Sequence, residues 1–303
     1  MLTSSELMKN ACREKLVIPA FNVPYLPMVE PVIKAVVDED AFAFIATARP
    51  EWIKFEAKGP VEVYNEYQRW AVPTHTRIHL DHVPVIDEDG NQVDYEKIIQ
   101  LALDTGYPSV MVDGSRLPLE ENIAATRRIV ELAHKYNAAC EAELGAVMGH
   151  EAGPLPPYDE IFNSGKGFTD VEECRKYVKE TQCDWLSVAI GNIHGAISGA
   201  LKDAKKVEAR LNIEHLSTLR KAAGNIPLVL HGGSGVRREY MLKAIQNGIC
   251  KINIGAEIRQ TYEAALREKR DVSEAQLAVY QRTRWLLRDY FELSGTRQKV
   301  NPA

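Results

Sequence analysis

The chain has 303 residues, 45% apolar and 26% charged, which is enough for a sizeable buried core in one large α/β domain or two smaller ones. Its net charge of −5 argues against a nucleic-acid-binding surface, and no run of about 18 apolar residues predicts a membrane span. Five cysteines without a CxxC pair predict no disulfide framework and no cysteine zinc site, and a polar N-terminal segment without signal-peptide features predicts a reducing, cytoplasmic setting.

Short apolar runs alternate along the chain with longer amphipathic stretches, and eight of the runs have the length and composition of buried parallel strands. In chain order they are Leu16–Val23, Ala43–Thr47, Thr76–Leu80, Ser109–Val112, Ala139–Leu144, Trp185–Ile190, Leu228–Leu230 and Lys251–Ile254. Helices are predicted between them at Asp94–Thr105, Pro118–Tyr136, Asp170–Thr181 and Glu214–Ala223, with Asp170 as an N-cap.

This alternation predicts the architecture. Eight strand-then-helix units over about 250 residues match a (β/α)8 barrel in size and order. A doubly wound sheet is the rival, but it rarely extends to eight regular units. No shift of composition and no flexible linker divides the chain. We therefore predict a TIM barrel in one domain, residues 1–303, with C-terminal helices over about 257–303.

Three segments are longer than a barrel requires. Val83–Val93 contains Asp89-Gly90, a hairpin turn signal. Val147–Phe168 is rich in glycine, proline and polar residues, and a loop of that length is usually functional or mobile. The tail from Glu257 is predicted to form helices in which most of the arginines make a solvated face, with an oligomer contact as the alternative: Arg259, Arg267, Arg270, Arg282, Arg284 and Arg288.

Three histidines follow apolar runs: His82 in RIHLDHV, His194 in LSVAIGNIHG and His231 in LVLHGGSG. A single histidine at such a place is more often structural than a ligand. In a parallel barrel, however, the ends of all the strands open on one mouth, where the three imidazoles would converge. Three imidazoles with one position left open are a common catalytic zinc site. The sequence therefore predicts a metal centre formed by these histidines.

Acidic and amide side chains also lie at the predicted ends of strands: Asp81, Asp113, Glu143 and Asn253. Asp113 by itself is also explained as a turn residue, because DGS is a common turn. Glu141 and Glu143 share one face of their strand, and one of them is interpreted as an interior charge paired with a lysine. We favour Glu143 as the functional residue because it lies nearer the rim of the barrel.

Glycine-rich loops follow the seventh and eighth strands, at Gly232-Gly233-Ser234-Gly235 and at Gly255-Ala256, and each leads into a helix. Small residues let backbone N–H groups approach an anion, and a helix N-terminus favours negative charge. Such barrels often bind phosphate at these loops, although tight turns need glycine too. Beside a histidine ligand, the loops indicate a phosphorylated substrate.

On these motifs the chain resembles the class II, zinc-dependent aldolases that act on ketose phosphates, such as fructose-bisphosphate and tagatose-bisphosphate aldolases. The supporting stretches are PAFNV (19–23), HLDH (79–82), SVMVDGSRLPLEENI (109–123), EAELGAVMGHE (141–151), AIGNIHG (189–195), LHGGSG (230–235) and KINIGAEIR (251–259). Each is moderately specific, and their order and spacing together strengthen the resemblance. It is weakest before residue 75 and after about residue 260.

The resemblance implies reversible cleavage of a phosphorylated ketose, or of a related acidic ketose, to dihydroxyacetone phosphate and an aldehyde. It implies that His82, His194 and His231 bind zinc. Glu143 would be an alternate ligand or a carboxylate close to the metal, and Asp113 would lie behind the ligands. No Schiff-base lysine would be needed, because the metal ion would stabilise the charge that develops on cleavage.

The resemblance also implies roles for the residues around the metal. Asp81 would move the proton of the hydroxyl that becomes the aldehyde, and Glu151 would exchange the proton at the carbon being joined. The loop Val147–Phe168 would close over the substrate and exclude water. The residues against the substrate and its phosphate, with a monovalent cation (Na⁺ or K⁺) nearby, would be Asn22, Gly195, Gly232, Gly233, Ser234, Asn253, Gly255 and Ala256.

The chain departs from the family pattern at the walls of the predicted pocket. Val83 follows the LDH motif in place of glycine, Ile193 stands in place of threonine, and Ala256 in place of threonine or serine. The segment TARPEW (47–52) carries Arg49 close to the position of a serine in many members. We therefore expect a substrate other than the standard sugar bisphosphate. Arg49 is interpreted either as the partner of an anionic end of that substrate or as a surface residue in an ion pair.

Two other functions fit parts of the pattern. A metal-dependent barrel hydrolase usually has an HxH pair on its first strand, which this chain lacks. A phosphosugar-binding accessory subunit on the same barrel would lose a ligand or an acid–base residue, whereas all of them are present here. The resemblance and the arginine-rich tail favour a homodimer or homotetramer, with no nucleic-acid or membrane partner.

Overall fold

The computed structural model describes residues 1–147, 157–194 and 208–302. Its centre is a closed barrel of parallel strands, in which strands consecutive in the chain are neighbours and β1 pairs with β8. The strands are β1 Ile18–Asn22, β2 Ala43–Ala48, β3 Thr76–Pro84, β4 Ser109–Asp113, β5 Ala139–Leu144, β6 Trp185–Val188, β7 Leu228–Leu230 and β8 Ile249–Ile254. The predicted (β/α)8 barrel is confirmed, and each of the eight predicted strands is present.

Helices surround the barrel in the described residues. They are α1 Ser4–Arg13, α2 Val29–Asp38, α3 Arg49–Ile53, α4 Pro60–Trp70, α5 Tyr95–Thr105, α6 Leu119–Lys135, α7 Tyr158–Ser164, α8 Val171–Thr181, α9 Ile213–Ala223, α10 Arg238–Gln246, α11 Ala256–Lys269, α12 Val272–Trp285 and α13 Arg297–Val300, with a 3-10 turn at Leu26–Met28 and a π-helical turn at Leu286–Tyr290. Asp94, Asp170 and Asn212 cap α5, α8 and α9 by accepting backbone N–H bonds.

Apolar side chains fill the lower part of the barrel and the layer outside it. Phe44 and Trp185 stack inside, with ring centroids 6.2 Å apart, and Leu7 and Met8 of α1 close the N-terminal end. Outside the sheet, the apolar faces of the surrounding helices pack on the opposite faces of the strands. Because the bottom is plugged, polar side chains of the interior collect toward the C-terminal mouth, where such barrels carry their chemistry.

Some boundaries differ from the prediction. Strand β3 continues through His82 to Pro84, where the prediction ended it at Leu80. Val83–Val93 does contain a hairpin turn: Asp87 N–H donates to the Asn91 carbonyl at 2.9 Å. The segment predicted as the loop Val147–Phe168 contains α7. No helix in the described residues is both long and apolar enough to cross a membrane.

The prediction that the chain forms no disulfide is wrong. Cys12 and Cys250 form a disulfide that joins α1 to β8. The prediction of no disulfide missed it because cysteines separated by 238 residues give no spacing signal. Among the arginines of the C-terminal helices, Arg259 is an exception to the predicted solvated face, because it is buried and pairs with Glu263 at 2.6 Å.

Candidate metal centre and active site

A bulge near the end of β3 brings two consecutive side chains, Asp81 and His82, to the mouth of the barrel. The register of β3 against β4 shifts between Leu80 and Val83, and His82 has a φ of +26°, in the left-handed region. Neighbouring residues of a regular strand face opposite sides of the sheet. The bulge re-aims His82, so that both side chains serve one site.

The three predicted histidine ligands converge. Each ring offers one nitrogen to the centre, and these three nitrogens, from His82, His194 and His231, all lie within 4.8 Å of one another. His82 Nε2 and His231 Nδ1 are 2.5 Å apart, and the His82 and His194 ring centroids are 5.1 Å apart. Gly232 permits this approach: its φ is +64°, and an added Cβ would lie 2.2 Å from the Ile193 carbonyl oxygen. The loops that carry His194 and His231 therefore touch.

Carboxylates hold the ring nitrogens on the outer side of this cluster. Asp113 Oδ2 lies 3.4 Å from His82 Nδ1, and Glu141 Oε1 lies 2.7 Å from His231 Nε2. A carboxylate on the outer nitrogen fixes the orientation of an imidazole and makes it a more basic ligand. His82 Nε2 and His231 Nδ1 are thereby directed at one point, which suits metal ligation.

Glu141 is the centre of a buried ionic network beneath the histidines. Its Oε2 is 2.8 Å from Lys251 Nζ and 3.3 Å from His79 Nε2, and it also accepts the indole N–H of Trp185. Burial opposes charge on Glu141, but Lys251 and the His231 hydrogen bond outweigh it and hold its pKa well below its usual range. The predicted pairing of one of the two strand glutamates with a lysine is confirmed for Glu141.

Glu143 lies at the rim, beside the histidine cluster. Its Oε2 is 3.4 Å from His231 Nδ1 and 3.9 Å from His82 Nδ1, and it has no hydrogen-bond partner among the described residues. Burial and the charge of Asp113 raise the pKa of Glu143 well above its usual range, although His82 opposes the shift. A buried carboxyl oxygen without a hydrogen bond, next to convergent imidazoles, fits a cation site.

The electrostatic field at His82 also favours a cation. Burial opposes charge on the ring, but Asp81, Asp113 and Glu143 outweigh it and raise the pKa of His82 to about 10. The same carboxylates would attract a metal ion, which competes with a proton for a histidine nitrogen. Imidazole nitrogens with a nearby carboxylate are donors that zinc prefers, so the residues present fit zinc.

Asp81 is tied to two other strands by amide side chains. Asn22 Nδ2 donates to Asp81 Oδ2 at 2.8 Å, and Asn253 Nδ2 lies 3.4 Å from Asn22 Oδ1. Lys251 Nζ in turn donates to Asn253 Oδ1 at 2.7 Å. Burial opposes ionisation of Asp81, but His82 and Lys251 outweigh it and lower its pKa to about 2. Asp81 Oδ1 has no hydrogen-bond partner among the described residues, which leaves one acceptor oxygen open.

The loops after β7 and β8 meet at the N-terminus of α11. Ser234 Oγ accepts a backbone N–H of the first turn of α11 at 3.4 Å. The Gly233 N–H donates to the Asn253 carbonyl at 3.1 Å, so this donor is not available to an anion. Gly255 and Ala256 begin a helix of 14 residues, whose first N–H groups favour negative charge.

Arg49 begins α3, immediately after β2, and contacts the hairpin at Val83–Val93. Arg49 Nη1 is 3.4 Å from Asp87 Oδ2, and a second pair, Lys54 with Glu88 at 2.6 Å, joins the same segments. The ion-pair interpretation of Arg49 therefore matches the structure. A guanidinium has five N–H donors, and within the described residues Asp87 engages one nitrogen, so a substrate contact is compatible with the pair.

Two predicted site residues, Glu151 and Gly195, lie outside the described residues, as do positions 148–156 of the predicted covering loop. The other predicted site residues lie on strand ends or on the loops that follow them, except Arg49 and Ala256, which are the first residues of α3 and α11. Sequence reasoning missed Lys251, although strand alternation places it on the same face as Asn253. It also missed Asp87, whose pairing with Arg49 depends on a tertiary contact that no motif signals.

A family model, two sequence relatives and a solved structure all relate this chain to aldolases. The model of the family "Fructose-bisphosphate aldolase class-II" matches residues 2–297. A fructose-bisphosphate aldolase of Geobacillus stearothermophilus is 31% identical over 276 residues, which cover 88% of this chain and 85% of the relative. A 6-phospho-5-dehydro-2-deoxy-D-gluconate aldolase of Bacillus subtilis (strain 168) is 33% identical over 261 residues, which cover 84% and 80%. The crystal structure of the YdjI aldolase from Escherichia coli K12 matches with a TM-score of 0.75 at 28% identity, covering 98% of this chain and 100% of that one.

Proposed function

This chain belongs to the class II fructose-bisphosphate aldolase family, and we propose that it catalyses zinc-dependent, reversible cleavage of a phosphorylated ketose to dihydroxyacetone phosphate and an aldehyde. It is an aldolase, a lyase that breaks and forms carbon–carbon bonds. The observation that carries the proposal is the convergence of His82, His194 and His231 beside the carboxylate of Asp81.

The three histidines would hold the metal ion, with Glu143 as an alternate ligand or a close carboxylate. Asp113 and Glu141 would keep the His82 and His231 rings in their ligating orientation. When bound, zinc would supply Lewis-acid stabilisation of the negative charge that develops on the substrate during cleavage. The unpartnered Glu143 oxygen beside convergent imidazoles supports a cation at this point.

Asp81 would accept the proton of the substrate hydroxyl that becomes the aldehyde, and would return it in the direction of synthesis. Its support is geometric: Asn22 holds one carboxylate oxygen, and the other has no hydrogen-bond partner in the described residues. A base must be ionised and within reach of the proton that it takes. Glu151 would exchange the proton at the carbon being joined, a role that rests on the sequence resemblance.

The substrate phosphate would lie at the N-terminus of α11, where Ser234 approaches the first turn. The proposed substrate contacts are Asn22, Gly195, Gly232, Gly233, Ser234, Asn253, Gly255 and Ala256. Gly233 would contribute only its small size, because its N–H already donates to the Asn253 carbonyl. A monovalent cation near the phosphate, and a homodimer or homotetramer, remain proposals from the resemblance.

The distal end of the substrate is proposed to be anionic and to lie near Arg49. The names of two relatives support a substrate with an anionic distal end. Fructose bisphosphate carries a second phosphate there, and the phosphorylated gluconate derivative carries a carboxylate. Arg49 follows Ala48, whose strand partner is Asp81, so its backbone begins beside the proposed base. Guanidinium pairs well with either anion.

We expect Arg49→Ala to lower kcat/KM by roughly 10- to 100-fold for ketose phosphates with an anionic distal end, since a hydrogen bond to a charged group contributes about 1.5–3 kcal/mol. A ketose 1-phosphate with an uncharged distal end should be affected much less. Lys54→Ala is the matched control, because it breaks the neighbouring ion pair to the same hairpin. An equal loss of kcat/KM on every substrate, charged or uncharged at the distal end, would show that Arg49 does not recognise the anionic end.

The central proposal is tested by metal analysis and a retro-aldol assay on a panel of ketose phosphates. We expect bound zinc, loss of cleavage after treatment with EDTA, and recovery when Zn²⁺ is added back. Borohydride with substrate should leave the enzyme active, because Lys251, the lysine buried beneath the site in the described residues, is paired with Glu141. Cleavage that survives complete metal removal, or borohydride inactivation, would contradict the proposal.

A further inference from the structure

The Cys12–Cys250 disulfide lies at the N-terminal end of the barrel, opposite the candidate active site. Cys12 is in the last turn of α1, and Cys250 is the second residue of β8. Cys12 is partly exposed, whereas Cys250 is only 1% exposed. Thiol–disulfide exchange begins when a thiolate attacks a sulfur that it can reach. Cys12 is therefore the sulfur that is open to attack from solvent.

A pocket of about 300 Å³ opens beside Cys12. Its walls are the turn after α1 and the C-terminal ends of α9 and α10, and they include Lys15, Ser217, Arg220 and Lys221. Ligand pockets in proteins begin at about this volume. A small molecule can therefore lie next to the disulfide.

Positive charge dominates this pocket. Lys15, Arg220 and Lys221 line it, and the described residues of its lining include no carboxylate. The C-terminal ends of α1, α9 and α10 oppose this charge, because a helix C-terminus carries roughly half a unit of negative charge. Three such ends amount to less than three full positive charges. The pocket therefore favours an anionic ligand.

Arg220 is held at the wall of the pocket before any ligand binds. Its Nη1 donates to the Ile226 carbonyl at 2.7 Å. Gly248 leaves room for the stem of this side chain, since a Cβ added there would lie 2.5 Å from Arg220 Cδ. A cation that is already fixed loses little conformational entropy when it binds an anion, so Arg220 suits recognition.

We propose that Cys12 is a site of thiol–disulfide exchange with a small anionic thiol that binds in this pocket. The ligand thiol loses its proton, its thiolate attacks Cys12 Sγ, and the Cys12–Cys250 bond breaks as the new sulfur–sulfur bond forms. Cys250 leaves with the electron pair of the broken bond and takes up a proton. The step is redox-neutral, because one disulfide replaces another. Attack by Cys250 on Cys12 Sγ expels the ligand and restores the original bond.

Helix α1 has other contacts that keep it in place when the disulfide opens. Ser5 Oγ donates to Asp184 Oδ1 at 2.7 Å. Asn10 Nδ2 donates to the Val300 carbonyl at 3.0 Å, and Leu7 is fully buried against the end of the barrel. The two separated sulfurs therefore stay close, as reversible exchange requires. This inference does not depend on the proposed aldolase activity.

The first test is incubation of the whole protein with glutathione, an anionic thiol, followed by intact mass measurement and peptide mapping under non-reducing conditions. We expect one attached glutathione, on Cys12 and not on Cys250. An adduct on Cys250, or no adduct at all, would overturn the proposal. So would the absence of the Cys12–Cys250 disulfide from the purified protein.

The second test concerns the charge of the pocket. It measures the ratio of the exchange rate constants for glutathione and for cysteamine, whose thiolate form is uncharged overall. Lys15→Gln/Lys221→Gln should lower this ratio by about tenfold at low salt, because a unit charge about 7 Å away in water changes a rate by roughly threefold. Lys97→Gln/Lys135→Gln is the matched control, which removes two exposed lysines elsewhere and should leave the ratio unchanged. An unchanged ratio in the pocket variant would refute an anion-selective site.

Thermal stability gives a readout independent of the exchange rate. A disulfide stabilises a fold mainly by restricting the unfolded chain, and this one joins residues 238 positions apart. The protein that carries the mixed disulfide should keep its circular dichroism spectrum at 25 °C and lose roughly 5–10 °C in Tm. Unfolding at 25 °C on exchange would contradict a reversible site, and an unchanged Tm would contradict opening of the Cys12–Cys250 bond.

Discussion

Replacing Asp81 by asparagine should lower kcat/KM for ketose-phosphate cleavage by about 10²- to 10⁴-fold, the usual contribution of a positioned general base. The amide can still accept the Asn22 N–H bond at the Oδ2 position, but it cannot take a proton from a substrate hydroxyl. The nitrogens of His82, His194 and His231 are unaltered, so the zinc content should stay at the wild-type level.

The control for this variant is Asp89→Asn, which makes the same chemical change at an exposed position of the hairpin. It should leave both activity and zinc unchanged. His82→Ala gives the contrasting result, because it should lose zinc and activity together. Wild-type turnover in Asp81→Asn would assign the proton transfer to another residue, and loss of zinc in that variant would place Asp81 in the metal site.

Replacing Lys251 by methionine should lower the free energy of unfolding by about 3–5 kcal/mol, the usual cost of leaving one partner of a buried ion pair without its counter-charge. Lys251 is fully buried, and its Nζ lies 2.8 Å from Glu141 and 2.7 Å from Asn253. Methionine fills a similar volume but leaves Glu141 charged in the barrel interior. Urea unfolding at neutral pH measures the change.

The double variant Lys251→Met/Glu141→Gln removes both charges and should recover part of the lost stability, because the uncompensated carboxylate is gone. Lys221→Met is the surface control: Lys221 is exposed, and its replacement should change the free energy of unfolding by less than about 0.5 kcal/mol. A loss below about 1 kcal/mol in Lys251→Met would mean that His79 and Trp185 satisfy Glu141 by themselves.

These two predictions concern one connected network. Glu141 holds the outer nitrogen of His231, while Lys251 bonds both Glu141 and Asn253. Asn253 lies against Asn22, which donates to Asp81. The buried layer beneath the mouth therefore supports the proposed metal ligand on one side and the proposed base on the other. Stability and site geometry are coupled here because the same hydrogen bonds serve both.

Much of the fold follows from local signals in the sequence. The eight strands are mostly apolar runs because parallel strands in a barrel are covered on both faces. Helices α5, α6, α8 and α9 begin and end within one residue of the predicted limits, and Asp170 caps α8 as predicted. Helices α1, α2, α3 and α4 were not predicted individually, and they lie in the region with the least resemblance to the family. The Cys12–Cys250 disulfide escaped prediction because it depends on the barrel closing between β8 and β1.

The candidate site, like the fold, depends partly on local sequence signals and partly on tertiary contacts. The sequence by itself determined which strand ends carry His82, His231 and Asp81, because barrel strands all open on one mouth. Tertiary structure decided how those side chains are used. Strand alternation would separate Asp81 from His82, and only the bulge against β4 brings them together. Likewise, Glu141 and Glu143 have the same local pattern, but Lys251 of β8 reaches only Glu141. Such assignments depend on distances between strands far apart in the chain, which local sequence patterns do not contain.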